Sequence, residues 1–340
     1  MLSSIKYYRD TVLSNIEEKI CESNFLLSHS STDAILHILK VRSNPRSILF
    51  LPDFYCGETT NTIRVNWPGE IVFFNFNPLN PSKGILEKLY SVTEKDIFIV
   101  PIIWRFDEKL LEIFRIKRVQ LIIDAAQFYR FSLNTLHPVV FSDYKYLNLR
   151  VGGSFLSTTD PVAGLAPGEL RLIGMHDIRY FFSSIFKRLN LKKIHSPLIQ
   201  TTYNYRKSGE MKHTLYSLYR YNREIGKNDF NWRIARLKRN KFLNVLIEKK
   251  CLFNDNIIEY YKSILEQEEV PISIPLLFNN TETKERFLKF CKDLNFEVFY
   301  WPDISAYNMN LNLEPVLCIS IIGNERLMEI EYFRKIFDKL

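Results

Sequence analysis

The fold of this chain is predicted from three short segments. They read VQLIIDAAQF at residues 119–128, VVFSDYK at residues 139–145 and VGGSFL at residues 151–156. Val119 to Ile123 is a continuous apolar run rich in β-branched residues, which is typical of a strand covered on both faces in a parallel sheet. Val139 to Phe141 has the same character. Both runs are therefore predicted to be buried strands of one sheet.

Polar side chains follow both of these strands. Asp124 ends the first strand, and Ser142 and Lys145 follow the second. Ligands of parallel sheets bind beyond the carboxyl ends of the strands, so a fixed carboxylate and a fixed amine are predicted at one sheet edge. A carboxylate beneath a pyridine nitrogen keeps that ring protonated, and a desolvated lysine forms a Schiff base. The pattern predicts a pyridoxal phosphate (PLP) site, although an isolated Asp more often caps a helix and an isolated Lys is more often solvated.

The same stretch resembles the fold-type I, PLP-dependent sugar aminotransferases of the DegT/DnrJ type. Members of that family carry an Asp-Ala-Ala-Gln-like strand end, then Phe-Ser before the Schiff-base lysine, then Gly-Gly. Here the Gly-Gly pair begins at Gly152, seven residues after Lys145, as in the branch of the family with a shorter lysine loop. The resemblance implies an α/β, fold-type I transferase. Its large domain has a mostly parallel, doubly wound sheet, and its smaller C-terminal domain is α+β.

Hydroxyl residues stand before an apolar run at residues 34–39, a pattern that predicts a capped helix. An exposed helix N-terminus binds phosphate through its N–H groups and its dipole. The family binds the cofactor phosphate at the matching place, usually with Ser-Gly-Thr or Gly-Arg-Thr. This chain has Ser30-Ser31-Thr32-Asp33, which keeps the hydroxyls, lacks the glycine and adds a carboxylate. By resemblance Ser31, Thr32 and Ser142 bind the phosphate. An ordinary capped helix is the alternative.

An aromatic pair follows the predicted strand at residues 47–52. The segment from Pro52 to Gly57 resembles the family's Pro-x-Tyr-x-Cys segment, from which an aromatic side chain stacks on the pyridine ring. A flat cationic ring suits the negative face of an aromatic side chain. Phe54 and Tyr55 both remain candidates, and the alternative is that both only fill core space.

The resemblance also implies roles and a reaction. Lys145 forms the Schiff base and moves a proton between the amino-donor carbon and the cofactor carbon, Asp124 pairs with the pyridine N–H, and Gln127 lies near the ring hydroxyl. The reaction is transfer of an amino group, typically from glutamate, to a keto-sugar nucleotide in surface-polysaccharide or related sugar synthesis, by a homodimer. Two alternatives stay open, a same-fold enzyme with other chemistry, such as a dehydratase or one with a non-sugar substrate, and a non-catalytic partner subunit.

The chain of 340 residues is long enough for two domains. We expect an N-terminal helical arm at 1–24, a large PLP-binding domain at 25–235 and a small C-terminal domain at 236–340. Strands alternate with helical connections from 34 to 157, which favours a parallel sheet. Residues 169–235 are predicted to be mostly helical and basic.

Composition excludes several classes of protein. No apolar run approaches the roughly 18 residues of a membrane span, so we expect a cytoplasmic protein. The five cysteines are scattered and predict neither disulfides nor a metal site. The net charge of +8 has much of its excess in 181–250. A solvated helix face explains that segment better than nucleic-acid binding does, because no nucleic-acid motif accompanies it.

Overall fold

The structure of the protein is a computed structural model, in which the chain forms two compact units. The first unit comprises Met1–Ser43 with Ser132–Asn228, and the second comprises Asn44–Phe131 with Asp229–Leu340. The residues that the structure describes are 26–42, 44, 46–105, 107–129, 131, 137–147, 152–156, 182, 217, 220–221, 223–224, 228–294, 296–302, 315–321, 327 and 330–340.

Strands and helices alternate along most of the described chain. In chain order they are β1 (Leu26–Ser28), α1 (Ser31–Arg42), β2 (Leu49–Pro52), α2 (Gly57–Asn66), β3 (Ile71–Phe74), α3 (Pro81–Leu89), β4 (Ile97–Pro101), α4 (Glu108–Lys117), β5 (Gln120–Asp124), β6 (Val139–Phe141), β7 (Gly153–Leu156), α5 (Asn228–Glu248), α6 (Asp255–Glu266), β8 (Ser273–Leu276), α7 (Thr281–Leu294), β9 (Val298–Trp301), β10 (Val316–Ser320) and α8 (Ile330–Phe337). Short 3-10 turns cover Asp143–Lys145 and Lys250–Leu252.

Within the residues that the structure describes, three antiparallel strands and the helix α1 form the regular part of the first unit. β7 pairs with β1 and with β6, and both pairings are antiparallel. Only residues 142–152 connect β6 to β7, and a parallel pair needs a longer crossover connection. α1 lies against β6 and β7, because its apolar residues recur at helical spacing and form one buried face: Ala34, Ile35, Ile38 and Leu39.

The second unit contains a four-stranded parallel sheet in the order β5-β4-β2-β3. One helix connects each strand to the next along the chain, as parallel pairing requires. All five residues of β4 are buried. Phe98 in β4 stacks on Phe50 in β2 at 4.4 Å between ring centroids and meets Phe114 in α4 at 5.2 Å. β4 is therefore a fully buried inner strand of this sheet.

The C-terminal part of the second unit has its own antiparallel sheet, with β10 between β8 and β9. A buried arginine ties the long helix α5 to the segment before β8. The Arg239 guanidinium donates hydrogen bonds to the carbonyl oxygens of Gln267, at 2.8 Å, and Glu269. Burial lowers the pKa of Arg239 to about 10, so the guanidinium is still charged at neutral pH.

The predicted strands at 119–123 and 139–141 and the predicted alternation of strands and helices are confirmed. The predicted arm at 1–24 and nearly all of 169–227 lie outside the described residues. α5 runs through the boundary predicted between 235 and 236, and that division into domains stays a prediction. Across the described part of the chain, no helix has both the length and the apolar character needed to cross a membrane.

Candidate functional site

Asp124 is held by two hydrogen bonds at the carboxyl end of β5. The hydroxyl of Tyr55, which follows β2, donates to Asp124 Oδ2 at 2.5 Å, and the Ala126 N–H donates to Oδ1 at 2.9 Å. The Asp124 side chain is only half-buried. Because hydrogen-bond donors favour the ionised form of a carboxyl group, this arrangement provides an oriented anion at the end of the parallel strands.

The structure gives the two candidate aromatic residues different surroundings. Phe54 is 1% exposed, and its ring packs against Trp301 at 5.0 Å and Phe76 at 5.5 Å. Trp104 joins the same cluster, with its ring 5.4 Å from that of Trp301. Phe54 thus lies in an aromatic cluster within the second unit, whereas Tyr55 contacts Asp124 through its hydroxyl.

Gln127 lies three residues beyond Asp124 and has a half-buried side chain. Its carbonyl oxygen accepts a hydrogen bond from the Ile272 N–H at 2.8 Å, and Phe128 forms an isolated β-bridge with Pro271. The backbone that carries Gln127 is therefore anchored to the segment before β8.

Lys145 ends the short 3-10 turn at Asp143–Lys145, which we call the lysine turn. The Lys145 N–H donates to the Ser142 carbonyl oxygen at 3.0 Å, and the Tyr144 N–H donates to the Gly152 carbonyl oxygen at 3.2 Å. The Gly152 N–H in turn donates to the His29 carbonyl oxygen at 3.0 Å. The lysine turn, the Gly-Gly pair and the loop before α1 are thus joined by backbone hydrogen bonds in the first unit.

The N-terminus of α1 is capped by Ser30. The Asp33 N–H donates to Ser30 Oγ at 3.1 Å, and Ser30 Oγ donates to Asp33 Oδ2 at 2.8 Å. Asp33 is exposed, and its carboxylate is engaged in this cap. Ser31 Oγ lies 3.5 Å from Ser142 Oγ, at the limit of a hydrogen bond, and Thr32 is the next residue of the helix. Ser31, Thr32 and Ser142 are therefore gathered at one helix end.

The two glycines after the lysine are needed for different reasons. Gly152 has φ 147°, in the region that favours glycine. A Cβ on Gly153 would lie 2.6 Å from the Ser31 nitrogen and 2.8 Å from Ser28 Oγ, so no side chain fits there. The Gly-Gly pair allows β7 to approach the start of α1 closely.

The lysine turn contains a buried carboxylate that the sequence did not predict. Asp143 is 0% exposed, and it accepts hydrogen bonds from the hydroxyls of Tyr146 and Tyr221. Its only sequence signal is the position two residues before Lys145, and Tyr221 gives no signal, because it lies far along the chain.

Two groups of predicted residues are brought together, one in each unit. Asp124 and Tyr55 are in contact in the second unit, with Gln127 three residues beyond the carboxylate. Lys145, Ser142, Ser31 and Thr32 belong to one connected assembly in the first unit. Phe54 is packed into the aromatic cluster instead.

No protein-family model and no curated protein sequence matches the chain, but several solved structures do. A serine palmitoyltransferase from Sphingomonas wittichii is 10% identical, with a TM-score of 0.57 over 97% of this chain and 76% of that one. An aspartate aminotransferase from Thermotoga maritima is 10% identical, with a TM-score of 0.51 over 97% and 82%. An 8-amino-7-oxononanoate synthase from Francisella tularensis is 12% identical, with a TM-score of 0.51 over 98% and 86%.

These similar structures are fold-type I PLP-dependent enzymes, and further serine palmitoyltransferase structures contain PLP. At 10 to 12% identity, the likeness shows the fold. The chain therefore has the α/β fold of the fold-type I PLP-dependent transferases, as the sequence predicted.

Proposed function

We propose that this chain binds PLP and transfers an amino group, with glutamate as donor and a keto-sugar nucleotide as acceptor. The observation that carries the proposal is the hydrogen-bonded assembly that joins the lysine turn to Gly152 and His29. This assembly holds a lysine and the hydroxyls at the start of α1 on one connected piece of backbone. A PLP enzyme needs such an amine and such phosphate ligands in a fixed arrangement.

The residues present fit PLP. The hydroxyls of Ser31, Thr32 and Ser142 and the N-terminus of a 12-residue helix are suitable ligands for a phosphate dianion. Asp33 adds a negative charge in this turn, and its hydrogen bond with Ser30 engages that charge in the helix cap. Asp124, with both oxygens already oriented by donors, suits a protonated pyridine nitrogen.

When bound, PLP supplies an electron sink for the charge that develops as the amino donor loses its Cα proton. In our proposal Lys145 Nζ would accept that proton and release it again, as a positioned general base and acid. Asp124 would hold the pyridine N–H, and Gln127 would be the residue near the ring hydroxyl. Ser31, Thr32 and Ser142 would bind the phosphate and so fix the position of the cofactor relative to Lys145.

Of the two aromatic candidates, we assign Tyr55 to the cofactor and Phe54 to the aromatic cluster. Tyr55 supports this assignment because its hydroxyl contacts the carboxylate that we pair with the pyridine nitrogen. Phe54 is already packed against Trp301 and Phe76.

The finer parts of the proposal rest on the motif resemblance. The short lysine loop, from Lys145 to Gly152, favours a sugar aminotransferase of the DegT/DnrJ type acting on a nucleotide sugar. We further propose a cytoplasmic homodimer, the assembly expected from that resemblance, that does not bind nucleic acid. Size-exclusion chromatography with light scattering tests the dimer.

The proposal is tested by mixing purified protein with PLP, recording the visible spectrum and reducing with borohydride. We expect a visible band and a covalent PLP adduct that peptide mass spectrometry locates at Lys145. Lys145→Ala should lack both. Lys262→Ala is the matched control, because Lys262 is an exposed lysine on α6 that pairs only with Glu259 among the ion pairs of the described residues. If wild-type protein forms no adduct at saturating PLP, the enzyme proposal fails, and a non-catalytic partner subunit becomes the better explanation.

A second candidate function is a PLP enzyme of the same fold with other chemistry. The similar structures support this second candidate, because they include a serine palmitoyltransferase and an 8-amino-7-oxononanoate synthase as well as an aspartate aminotransferase. Glutamate distinguishes the two candidates. An aminotransferase converts its bound cofactor to the amine form when glutamate is added without acceptor, and the visible band disappears. A band that glutamate leaves unchanged, but that another amino acid alters, supports the second candidate.

A further inference from the structure

A buried carboxylate lies two residues before the candidate lysine. Asp143 begins the lysine turn and is 0% exposed. The Tyr146 hydroxyl donates to Asp143 Oδ1, and the Tyr221 hydroxyl donates to Oδ2 at 2.5 Å. Tyr146 is 7% exposed and Tyr221 is 0% exposed. We call these three side chains the Asp143 clasp.

Such an arrangement is costly unless its hydrogen bonds are complete. Removing a carboxylate from water is unfavourable, and only strong hydrogen bonds or opposite charges offset that cost. Hydroxyl donors to an ionised carboxylate form short, strong bonds. The turn of an ordinary surface loop would leave its Asp in water. The Asp143 clasp therefore holds a short turn in place more firmly than the turn's own backbone could.

The backbone transmits this anchoring to the lysine. The Asp143 carbonyl oxygen accepts hydrogen bonds from the N–H groups of Tyr146, at 3.3 Å, and Leu147, at 2.9 Å. Lys145 lies within the loop that these bonds close. A single 3-10 turn has few hydrogen bonds and poor geometry, so its position depends on such anchors. A shift of the Asp143 side chain must therefore move the backbone of Lys145.

We propose that the Asp143 clasp is a positioning device for Lys145, which sets the direction from which the lysine amine reaches an aldehyde. Tyr221 lies 78 residues after Asp143 along the chain, so the clasp also makes the lysine turn depend on the segment just before α5. Asp143, Tyr146 and Tyr221 are positioning residues that act through Lys145. This inference rests on the proposed function, in which the Lys145 amine is the group that reacts with the aldehyde of the cofactor.

The inference is tested on the cofactor-free protein in Asp143→Asn, Tyr221→Phe and Tyr146→Phe. Each variant is treated with a small aldehyde and cyanoborohydride over a range of pH. Mass spectrometry then compares labelling of Lys145 with labelling of the exposed Lys262. Hydrogen–deuterium exchange is measured on peptides that cover 143–147. Tyr261→Phe is the matched control, because it removes another buried hydroxyl, one that donates to the Pro275 carbonyl oxygen at 2.8 Å in the second unit.

We expect exchange at 143–147 to rise about tenfold in Tyr221→Phe, since one charge-assisted hydrogen bond is lost, with Lys145 labelling moving toward that of Lys262. In Asp143→Asn, the ratio of Lys145 labelling to Lys262 labelling should move in the same direction, because the carboxylate that accepts both hydroxyl hydrogen bonds is replaced. Tyr261→Phe should change neither quantity. A clasp that only stabilises the fold would leave the ratio of Lys145 labelling to Lys262 labelling unchanged.

Exchange and labelling within twofold of wild type in both Tyr→Phe variants would overturn the inference, and those two variants decide if Asp143→Asn does not fold. The experiment uses no PLP. If the wild-type protein fails to bind PLP while the clasp variants still alter Lys145, the proposed function falls and the Asp143 clasp stands.

Discussion

At the level of single residues, the hydroxyl of Tyr55 has a clearer role than its ring. It donates to Asp124 Oδ2 at 2.5 Å, while the Ala126 N–H occupies Oδ1. A carboxylate with two donors cannot rotate freely, so it is already oriented before any ligand arrives. Preorganisation of this kind lowers the cost of binding a charged ring.

Tyr55→Phe should weaken PLP binding while leaving the fold intact, since the variant keeps the ring and loses only the hydroxyl. A hydrogen bond to a charged group contributes about 1.5–3 kcal/mol, so the dissociation constant should rise about tenfold or more. Titration of the protein with PLP, followed by absorbance, measures this change. Tyr261→Phe serves as the control, and equal affinities for Tyr55→Phe and wild type would contradict the role of the hydroxyl.

At the level of elements, backbone hydrogen bonds join the lysine turn to the Gly-Gly pair and to the loop before α1. Backbone hydrogen bonds run from Tyr144 to Gly152 and from Gly152 to His29. Gly153 lies so close to Ser31 that a Cβ would meet the Ser31 nitrogen at 2.6 Å. A side chain at Gly153 must therefore displace the N-terminus of α1.

Gly153→Ala should reduce both stability and PLP affinity. Overpacking of this kind typically costs about 1–3 kcal/mol of the free energy of unfolding. Gly69→Ala is a matched control, because its Cβ would also meet backbone, the Ser47 carbonyl oxygen at 2.7 Å, in the other unit. Denaturant unfolding and PLP titration are measured on both variants. We expect both to lose stability and only Gly153→Ala to bind PLP more weakly; an equal loss of PLP affinity in the two variants would argue against a phosphate site at α1.

At the level of the whole molecule, a histidine links stability to pH. Burial lowers the pKa of His137 to about 4, and the positive charge of Arg42 adds to this effect. In the unfolded chain the pKa of a histidine is about 6.5. Between these values the unfolded state binds more protons than the folded state, so stability falls as pH decreases from about 6.5 toward 4.

His137→Gln should remove this part of the pH dependence. The free energy of unfolding is measured by denaturant titration at pH 7 and pH 5, for wild type and for the variant. We expect wild type to lose more stability than the variant between these two pH values. A variant with the same loss as wild type would show that His137 does not titrate differently in the folded and unfolded states.

The local elements and the order of the candidate site residues along the chain are predictable from the sequence alone. Apolar runs placed β5 and β6 within a residue, because a strand buried on both faces needs a continuous apolar segment. The order Asp124, Ser142, Lys145 and then Gly-Gly predicts a PLP site, which stays a prediction, whereas the predicted fold is confirmed.

Which distant side chains come into contact is evident only from the folded structure. Tyr55 and Asp124 are 69 residues apart, and Asp143 and Tyr221 are 78 apart. No local pattern marks such pairs, because hydrophobic periodicity specifies the face on which a residue lies and leaves its distant partner unspecified. Likewise, the need for glycine at position 153 arises from the backbone of Ser31 lying against it. Contacts between distant segments depend on how elements pack, and packing is a property of the folded chain as a whole.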